Sequence, residues 1–297
     1  MFSFKRTKLG GILRLLILIL MILLINSHLH ADWATDSVAT GYEPRAICVN
    51  PNTNKIYVAN GESSAVTVID GETNDTSNVA AGGGPSAICV NPNTNKIYVA
   101  NNYSNSVTVI NGETNDTSNV TAGDEPTAIC LNPNTNKIYA ANYSSNDVTV
   151  IDGSDNSTTT VDVGDGPQAI CVNPNTNKIY VANNNSNNVT VIDGQTEDTT
   201  LVATGNRPRA ICVNPNTNKI YVANNNSSSV TVINGVTNDT TTVATGYGPH
   251  AICVNPNTNK IYVANYTDNS VTVINGETND TSNVPAGGEP YAISVNP

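Results

Sequence analysis

Six cysteines, Cys48, Cys89, Cys130, Cys171, Cys212 and Cys253, stand 41 residues apart without exception. Thiols at fixed spacing could pair as disulfides, ligate a soft metal or act as nucleophiles. Equal spacing works against all three, because it puts each cysteine at the same place in a repeated unit. Neighbouring units packed face to face lie ~10 Å apart, beyond the Cα separation that a disulfide accepts. The seventh copy of the position holds Ser294. The reading is six small apolar side chains filling gaps between units. Acidic turns such as IDGETND (69–75) and IDGSDN (151–156) invite comparison with a calcium loop. They lack the alternating oxygen ligands that end in a bidentate glutamate, and Asp-Gly or Asn-Gly between strands is already expected where a tight turn needs positive φ. After residue 31 the chain has one histidine, His250. A hydrolase needs a nucleophile with a base in reach, and a metal enzyme needs a ligand cluster. Near-identical units supply one group over and over, so the sequence predicts no catalytic set, no metal site and no cofactor, and hence no enzyme.

The elements that carry these residues follow from the repeat. Pro44, Pro85, Pro126, Pro167, Pro208, Pro249 and Pro290 share the 41-residue spacing, and NPNTNKIYVAN recurs within it, with Ala140 replacing Val in one copy. Each unit reads as four short strands, AICVN (46–50), KIYVAN (55–60), VTVI (66–69) and a weaker TSNV (76–79), bounded by Asn, Gly, Pro and Asp turn clusters. Four consecutive antiparallel strands in 41 residues make one blade of an all-β propeller; a two-layered β-helix is the alternative. The polar fourth strand, with Pro285 inside one copy, belongs at an outer edge. Six complete blades start near 44, 85, 126, 167, 208 and 249. Residues 35–41 (TDSVATG) resemble an isolated fourth strand and 290–297 (PYAISVNP) an isolated first strand. They predict a seventh blade that lacks its middle two strands, or else a closed six-bladed ring with loose ends.

Residues 1–31 stand apart. Lys5, Arg6, Lys8 and Arg14 precede an apolar run from Leu15 to Ile25, and Ala31 offers a small residue for cleavage. That is the layout of a secretory signal, with an uncleaved signal anchor as the competing reading and the sole route to a membrane. Residues 32–297 then form the propeller domain, outside the cytoplasm. Without the first 31 residues the formal charge moves from −11 to −15, since four basic groups and no acidic ones lie there. Nucleic acid selects basic surfaces and is excluded as a partner.

With these strings in view, KIYVAN followed by SxxVTVIDGxT resembles the YVTN-type β-propeller repeat, YVAN standing where that family often has YVTN. The resemblance covers 35–297. It implies an exported propeller of the surface-layer or cell-envelope kind, known from methanogenic archaea and often one module of a longer chain.

In an up-and-down blade, alternate turns emerge on opposite faces. One face is nearly constant, built from NPNTNK and xGxTxDT turns, and its six lysines (Lys55, Lys96, Lys137, Lys178, Lys219, Lys260) read as ordinary surface charges among the acidic turns. The other face varies and collects the unusual side chains: Tyr42, Tyr103, Tyr143, Tyr247, Tyr266, Tyr291, Arg45, Arg207, Arg209 and His250. Tyr and Arg dominate the energetics of binding surfaces, and loops on a rigid scaffold commonly carry recognition. These ten residues are the candidate binding set. Candidate N-glycosylation sites are Asn74, Asn115, Asn156, Asn238 and Asn279 in the third-to-fourth turn, and Asn102, Asn142, Asn184, Asn225 and Asn265 near the variable face. The sequence thus predicts a secreted or cell-surface binding module for a protein or glycan, with self-association open to it. The alternatives are a structural surface-layer component without a specific ligand, and a lactonase-like or quinoprotein-like propeller enzyme.

Overall fold

The computed structural model describes residues 37–296; the signal-like segment 1–31 lies outside them. The compact unit that carries the strands is Thr40–Pro297. Its first blade consists of β1 (Pro44–Asn50), β2 (Lys55–Asn60), β3 (Ala65–Asp70) and β4 (Thr76–Ala80), hydrogen-bonded in that order and antiparallel throughout. Five more four-stranded sheets repeat this order, their first strands at Pro85–Asn91, Pro126–Asn132, Pro167–Asn173, Pro208–Asn214 and Pro249–Asn255. The first strands of successive blades pack against one another, which makes the first strand innermost and the mostly exposed fourth strand outermost. Among the described residues a single 3-10 turn, Asn225–Ser227, interrupts the loops.

Each junction between blades is the same apolar seam. Tyr57, Ala59, Val66, Val68 and Val79 of blade 1 meet Ile88, Ile97, Val99 and Ile110 of blade 2, with Cys48 packed against them. The same residues recur between blades 3 and 4 and between blades 5 and 6. Alternation along each strand sends Tyr, Ala and Val one way and Ile and Val the other, so a blade buries both faces.

A polar clasp closes the constant face. Asn50 Nδ2 donates to Asn95 Oδ1 of the next blade at 2.8 Å, while Asn50 Oδ1 accepts from Asn52 N. Asn52 Nδ2 donates to the carbonyl of Pro92, and Lys55 Nζ to the carbonyl of Gly112 at 3.0 Å. Lys96, Lys178 and Lys219 make the equivalent bond, and Lys137 instead lies 3.8 Å from Glu197 of the next blade. The lysines are therefore not ordinary surface charges: most are interblade donors, and the NPNTNK string is the clasp itself. The last Asn of the string is left-handed in every blade (Asn54 φ 52°, Asn95 φ 51°), a conformation Asn tolerates better than most residues.

The xGxTxDT turn also differs from expectation. Gly71 is not the residue at positive φ; that residue is Asn74, φ 63°. Glycine is needed for space, since a Cβ on Gly71 would sit 2.5 Å from the carbonyl oxygen of Asn54, to which the Gly71 amide donates. Asp70 Oδ1 accepts the amides of Glu72 and Thr73 at 2.9 and 3.0 Å. These donors hold its carboxyl below the usual range and account for an Asp or Asn there without a metal.

Neither isolated strand forms. Residues 37–40 and 290–296 are not in strands, and 35–36 and 297 lie outside the described residues. The blades do not close as a six-membered ring either. Ile47 and Val49 of β1 are 65% and 51% exposed, whereas their counterparts Ile88, Ile170 and Ile252 are buried in the preceding blade.

Candidate functional site

All six cysteines are free thiols on the innermost strand, half-covered by neighbouring blades. Burial pushes the Cys48 thiol up to about 12 and that of Cys253 to about 11, and drives those of Cys130, Cys171 and Cys212 well above the ordinary value. They are protonated fillers at neutral pH.

The chemistry that varies gathers where the inner strands begin. The residue after the repeat proline is Arg45, Ser86, Thr127, Gln168, Arg209, His250 and Tyr291 in successive copies. Its short members seal neighbouring blades: Ser86 Oγ donates to the Pro126 carbonyl at 2.8 Å and Thr127 Oγ1 to the Pro167 carbonyl at 3.1 Å. The larger members do more. His250 Nδ1 lies 3.0 Å from the carbonyl oxygen of Tyr291, which can only accept, so Nδ1 carries the proton and Nε2 is the unprotonated nitrogen. Partial burial first, and then the charge of Arg209, hold this imidazole below its ordinary pKa, so it is neutral at pH 7. Its ring packs 4.1 Å from that of Tyr291 and 5.6 Å from that of Tyr266, and Tyr266 Oη donates to Glu289 at 2.9 Å.

A second cluster surrounds Arg45, which pairs with Glu43 at 3.1 Å, approaches Tyr103 Oη at 3.4 Å and lies 5.8 Å from that ring's centre. The Tyr103 hydroxyl, and then Glu43, stabilise its charged form. Beside Tyr103 a hollow is lined by Asn102, Asn105, Asp124, Glu125 and Ser144. Tyr143 reaches across to Asn185, Oη to Oδ1 3.3 Å. Tyr42 and Tyr247 stand free, 82% and 68% exposed. Arg207 and Arg209 flank Pro208 and join neither cluster by a hydrogen bond of their side chains.

The sequence puts Glu43, Glu125, Arg207 and Glu289 on the variable face, and the backbone adds a signal at their shared position. The residue before the repeat proline is left-handed in all seven copies: glycine at 84, 166 and 248, but Glu43, Glu125, Arg207 and Glu289 in the others, at φ 51 to 55°. Glycine takes this conformation without strain, and a long charged side chain does not. Four charged residues at such a position favour a role for the side chain.

The sequons divide. Asn74 is exposed, and Asn115, Asn156, Asn238 and Asn279 are half-buried on the third-to-fourth turn. Asn142 and Asn265 are 0% exposed, and their Nδ2 atoms donate to Thr149 and Thr272 at 2.9 and 2.8 Å. Asn184 is buried with Nδ2 bonded to the Pro208 carbonyl, and Asn225 repeats that bond to Pro249. A glycan on Nδ2 has no room at Asn142, Asn184 or Asn265 in this fold, because that atom is the donor of a structural bond. Asn102 is half-buried without such a bond.

No curated protein sequence matches the chain. Among solved structures it is similar to a functionally unknown protein from Desulfotomaculum acetoxidans DSM 771, with TM-score 0.68, 16% identity and coverage of 86% of this chain and 89% of that one. It is also similar to the WD40 repeats of RRP9, with TM-score 0.70, 11% identity and coverage of 86% and 84%, and to U3-55K, with TM-score 0.71, 11% identity and coverage of 86% and 85%. At these identities the likeness is one of fold. Residues 69–163 and 162–245, together more than half of the sequence, match the family model described as lactonase, 7-bladed beta-propeller. A chain of 41-residue four-stranded blades with that match belongs to the seven-bladed β-propeller lactonase family.

Proposed function

We propose that the chain is an exported, non-enzymatic cell-surface or envelope module that binds a protein or glycan through its variable loop face. The observation that carries this reading is the contrast between positions. In blades that otherwise repeat almost letter for letter, the residue after the repeat proline changes from Arg to Ser, Thr, Gln, Arg, His and Tyr, and charged residues occupy the strained position before it. Exposed tyrosines beside carboxylates and an arginine offer rings for stacking and charged groups for hydrogen bonding. The test is a glycan and surface-protein binding screen with wild type beside Tyr247→Ala/Arg209→Ala/His250→Ala. Binding lost in the variant supports the reading, and equal binding by both removes it.

The family match favours a second reading, hydrolysis of a lactone. His250, neutral and with Nε2 free, is the group on this face suited to act as a base. Turnover of a lactone panel by wild type, and its loss in His250→Ala, would replace the binding reading.

A further inference from the structure

The hollow beside Tyr103 combines an aromatic ring with two carboxylates. It lies between blades 2 and 3, is lined by Asn102, Tyr103, Asn105, Asp124, Glu125 and Ser144, and has a volume of about 480 Å³, inside the ~300–1,000 Å³ range of small-molecule sites. The repeat supplies its own controls. The pair before the repeat proline is Asp124-Glu125 here, but Gly83-Gly84, Asp165-Gly166, Asn206-Arg207 and Tyr247-Gly248 in neighbouring copies. The position of Tyr103 holds Glu62, Ser144, Asn185, Asn226 and Thr267 in the other blades. The fold therefore requires neither the ring nor the two acids at these places. Glu125 is moreover left-handed, at φ 54°, where Gly84, Gly166 and Gly248 take the same conformation without strain. A glutamate kept there points to a task for its side chain.

The groups that line the hollow are fixed by their neighbours. Asn105 Nδ2 donates to Asp124 Oδ1 at 2.7 Å, while Asn105 Oδ1 accepts the Glu125 amide at 3.0 Å. Ser144 Oγ donates to Glu125 Oε2. The carbonyls of Asp124 and Glu125 accept the amides of Ser144 and Tyr143, which ties the acidic pair to the next blade. Tyr103 is 63% exposed, and Arg45 reaches its hydroxyl at 3.4 Å. Groups held in place in this way lose little freedom when a ligand arrives.

What the hollow still offers sets the chemistry of its ligand. Each carboxylate has spent one oxygen on a neutral donor, which leaves Asp124 Oδ2 and Glu125 Oε1 as acceptors. The Asn102 side chain has made no hydrogen bond among the described residues and supplies an amide donor. The Tyr103 ring is an apolar platform. None of the lining residues is Lys or Arg, and Arg45 is already paired with Glu43, so an anionic ligand meets two uncompensated negative charges.

We propose that this hollow binds a neutral saccharide. The C–H face of a pyranose ring lies on Tyr103, adjacent hydroxyls donate to the free oxygens of Asp124 and Glu125, and a further hydroxyl oxygen accepts from Asn102 Nδ2. A hydroxyl both donates and accepts, so one class of group answers all three. An alkylammonium answers the carboxylates and leaves the amide donor without an acceptor; a uronate or sulfated sugar is repelled. The proposal rests on the reading of the variable face as a binding face and adds to it a site and a ligand class. The two can fail separately, because the hollow shares no residue with Tyr247, Arg209 and His250.

The test titrates panels of neutral, uronic and sulfated oligosaccharides and of alkylammonium salts into the full chain, on protein whose intact mass shows Asn102 unmodified. Saturation-transfer NMR reads which ligand hydrogens touch the protein. Expected are saturable binding of neutral sugars, transfer strongest to the C–H groups of one ring face, and an affinity that added sodium chloride leaves unchanged, since screening acts on charged pairs. Tyr103→Ser, the residue of the matching place in blade 3, should weaken binding about tenfold or more, and Tyr103→Phe should retain it. Glu125→Gly should weaken binding likewise while Tm does not fall, because Gly166 makes the same amide bond, to Asn146 Oδ1 at 2.9 Å, and glycine relieves the left-handed backbone. Preference for the anionic or alkylammonium panel overturns the proposal, as does saccharide binding that neither Tyr103→Ser nor Glu125→Gly weakens. A ligand lost in Tyr247→Ala/Arg209→Ala/His250→Ala and kept in Tyr103→Ser and Glu125→Gly overturns the hollow and leaves the loop-face reading standing; no binding of any glycan or protein removes both.

Discussion

Asn132 reaches from the end of one inner strand to the turn of the next blade, where its Nδ2 donates to Asn177 Oδ1 at 2.7 Å, while its own Oδ1 accepts the amide of Asn134. Asn132 is 0% exposed, so both ends of its own amide depend on these two partners.

Replacing Asn132 by Ala strands the Asn177 oxygen and the Asn134 amide. Losing a hydrogen bond between partly solvated groups costs ~0.5–1.5 kcal/mol. Chemical denaturation of Asn132→Ala should show that loss, while Asn255→Ala, whose Nδ2 makes no bond to a following blade among the described residues, should change stability far less.

Tyr180 fills the seam between blades 4 and 5, and among the described residues its hydroxyl has no hydrogen-bond partner. Tyr180→Phe should therefore be stabilising, by about 1 kcal/mol, since a buried hydroxyl without a partner is unfavourable. Tyr180→Ala should destabilise by about 3–5 kcal/mol through the cavity it leaves. Thermal melts of the pair decide; a Phe variant much weaker than wild type would mean that the hydroxyl is bonded.

His250 has a folded-state pKa below its unfolded value of 6.5. Between those two values the unfolded chain binds the extra proton, so stability rises with pH through that window and falls on acidification below pH 6.5. Above it the contribution is complete. His250→Gln should flatten this part of the pH profile, and Arg209→Ala should move the imidazole resonance titration upward by removing a neighbouring positive charge.

The six thiols should differ in reactivity. Burial raises the Cys253 thiol least, to about 11, and the thiolate is the reactive form. In a time course of alkylation at pH 8 read by peptide mass, Cys253 should react first and Cys130, Cys171 and Cys212 last. Equal rates would show that the seams open together.

The strands were legible almost to the residue: KIYVAN at 55–60 is β2, and the other three strands differ from the reading by one or two residues at an end. Alternation and turn residues within a blade are local, and they carried that far. The clasp was not legible, because Lys55 and its acceptor Gly112 are 57 residues apart and nothing near Lys55 says which blade lies opposite. Gly71 was read as a φ requirement because Asp-Gly usually is one; the nearby Asn54 carbonyl that excludes a Cβ belongs to a different turn. Asn142 and Asn265 looked like open sequons because burial of a strand-end amide against Thr149 or Thr272 leaves no mark in a three-letter motif. Five of the ten candidate binding residues gather in two clusters, Arg45 with Tyr103 and His250 with Tyr266 and Tyr291; Tyr42, Tyr143, Tyr247, Arg207 and Arg209 lie outside them.

The uniform 41-residue period and identical seams also bear on how such a chain changes over time. Misaligned recombination between two copies in the gene would delete or add one whole period, and every surviving blade would still find a neighbour with the matching seam and clasp. Blade number is then the easiest large change available to the gene, and the curvature of the assembled blades is what limits which numbers persist.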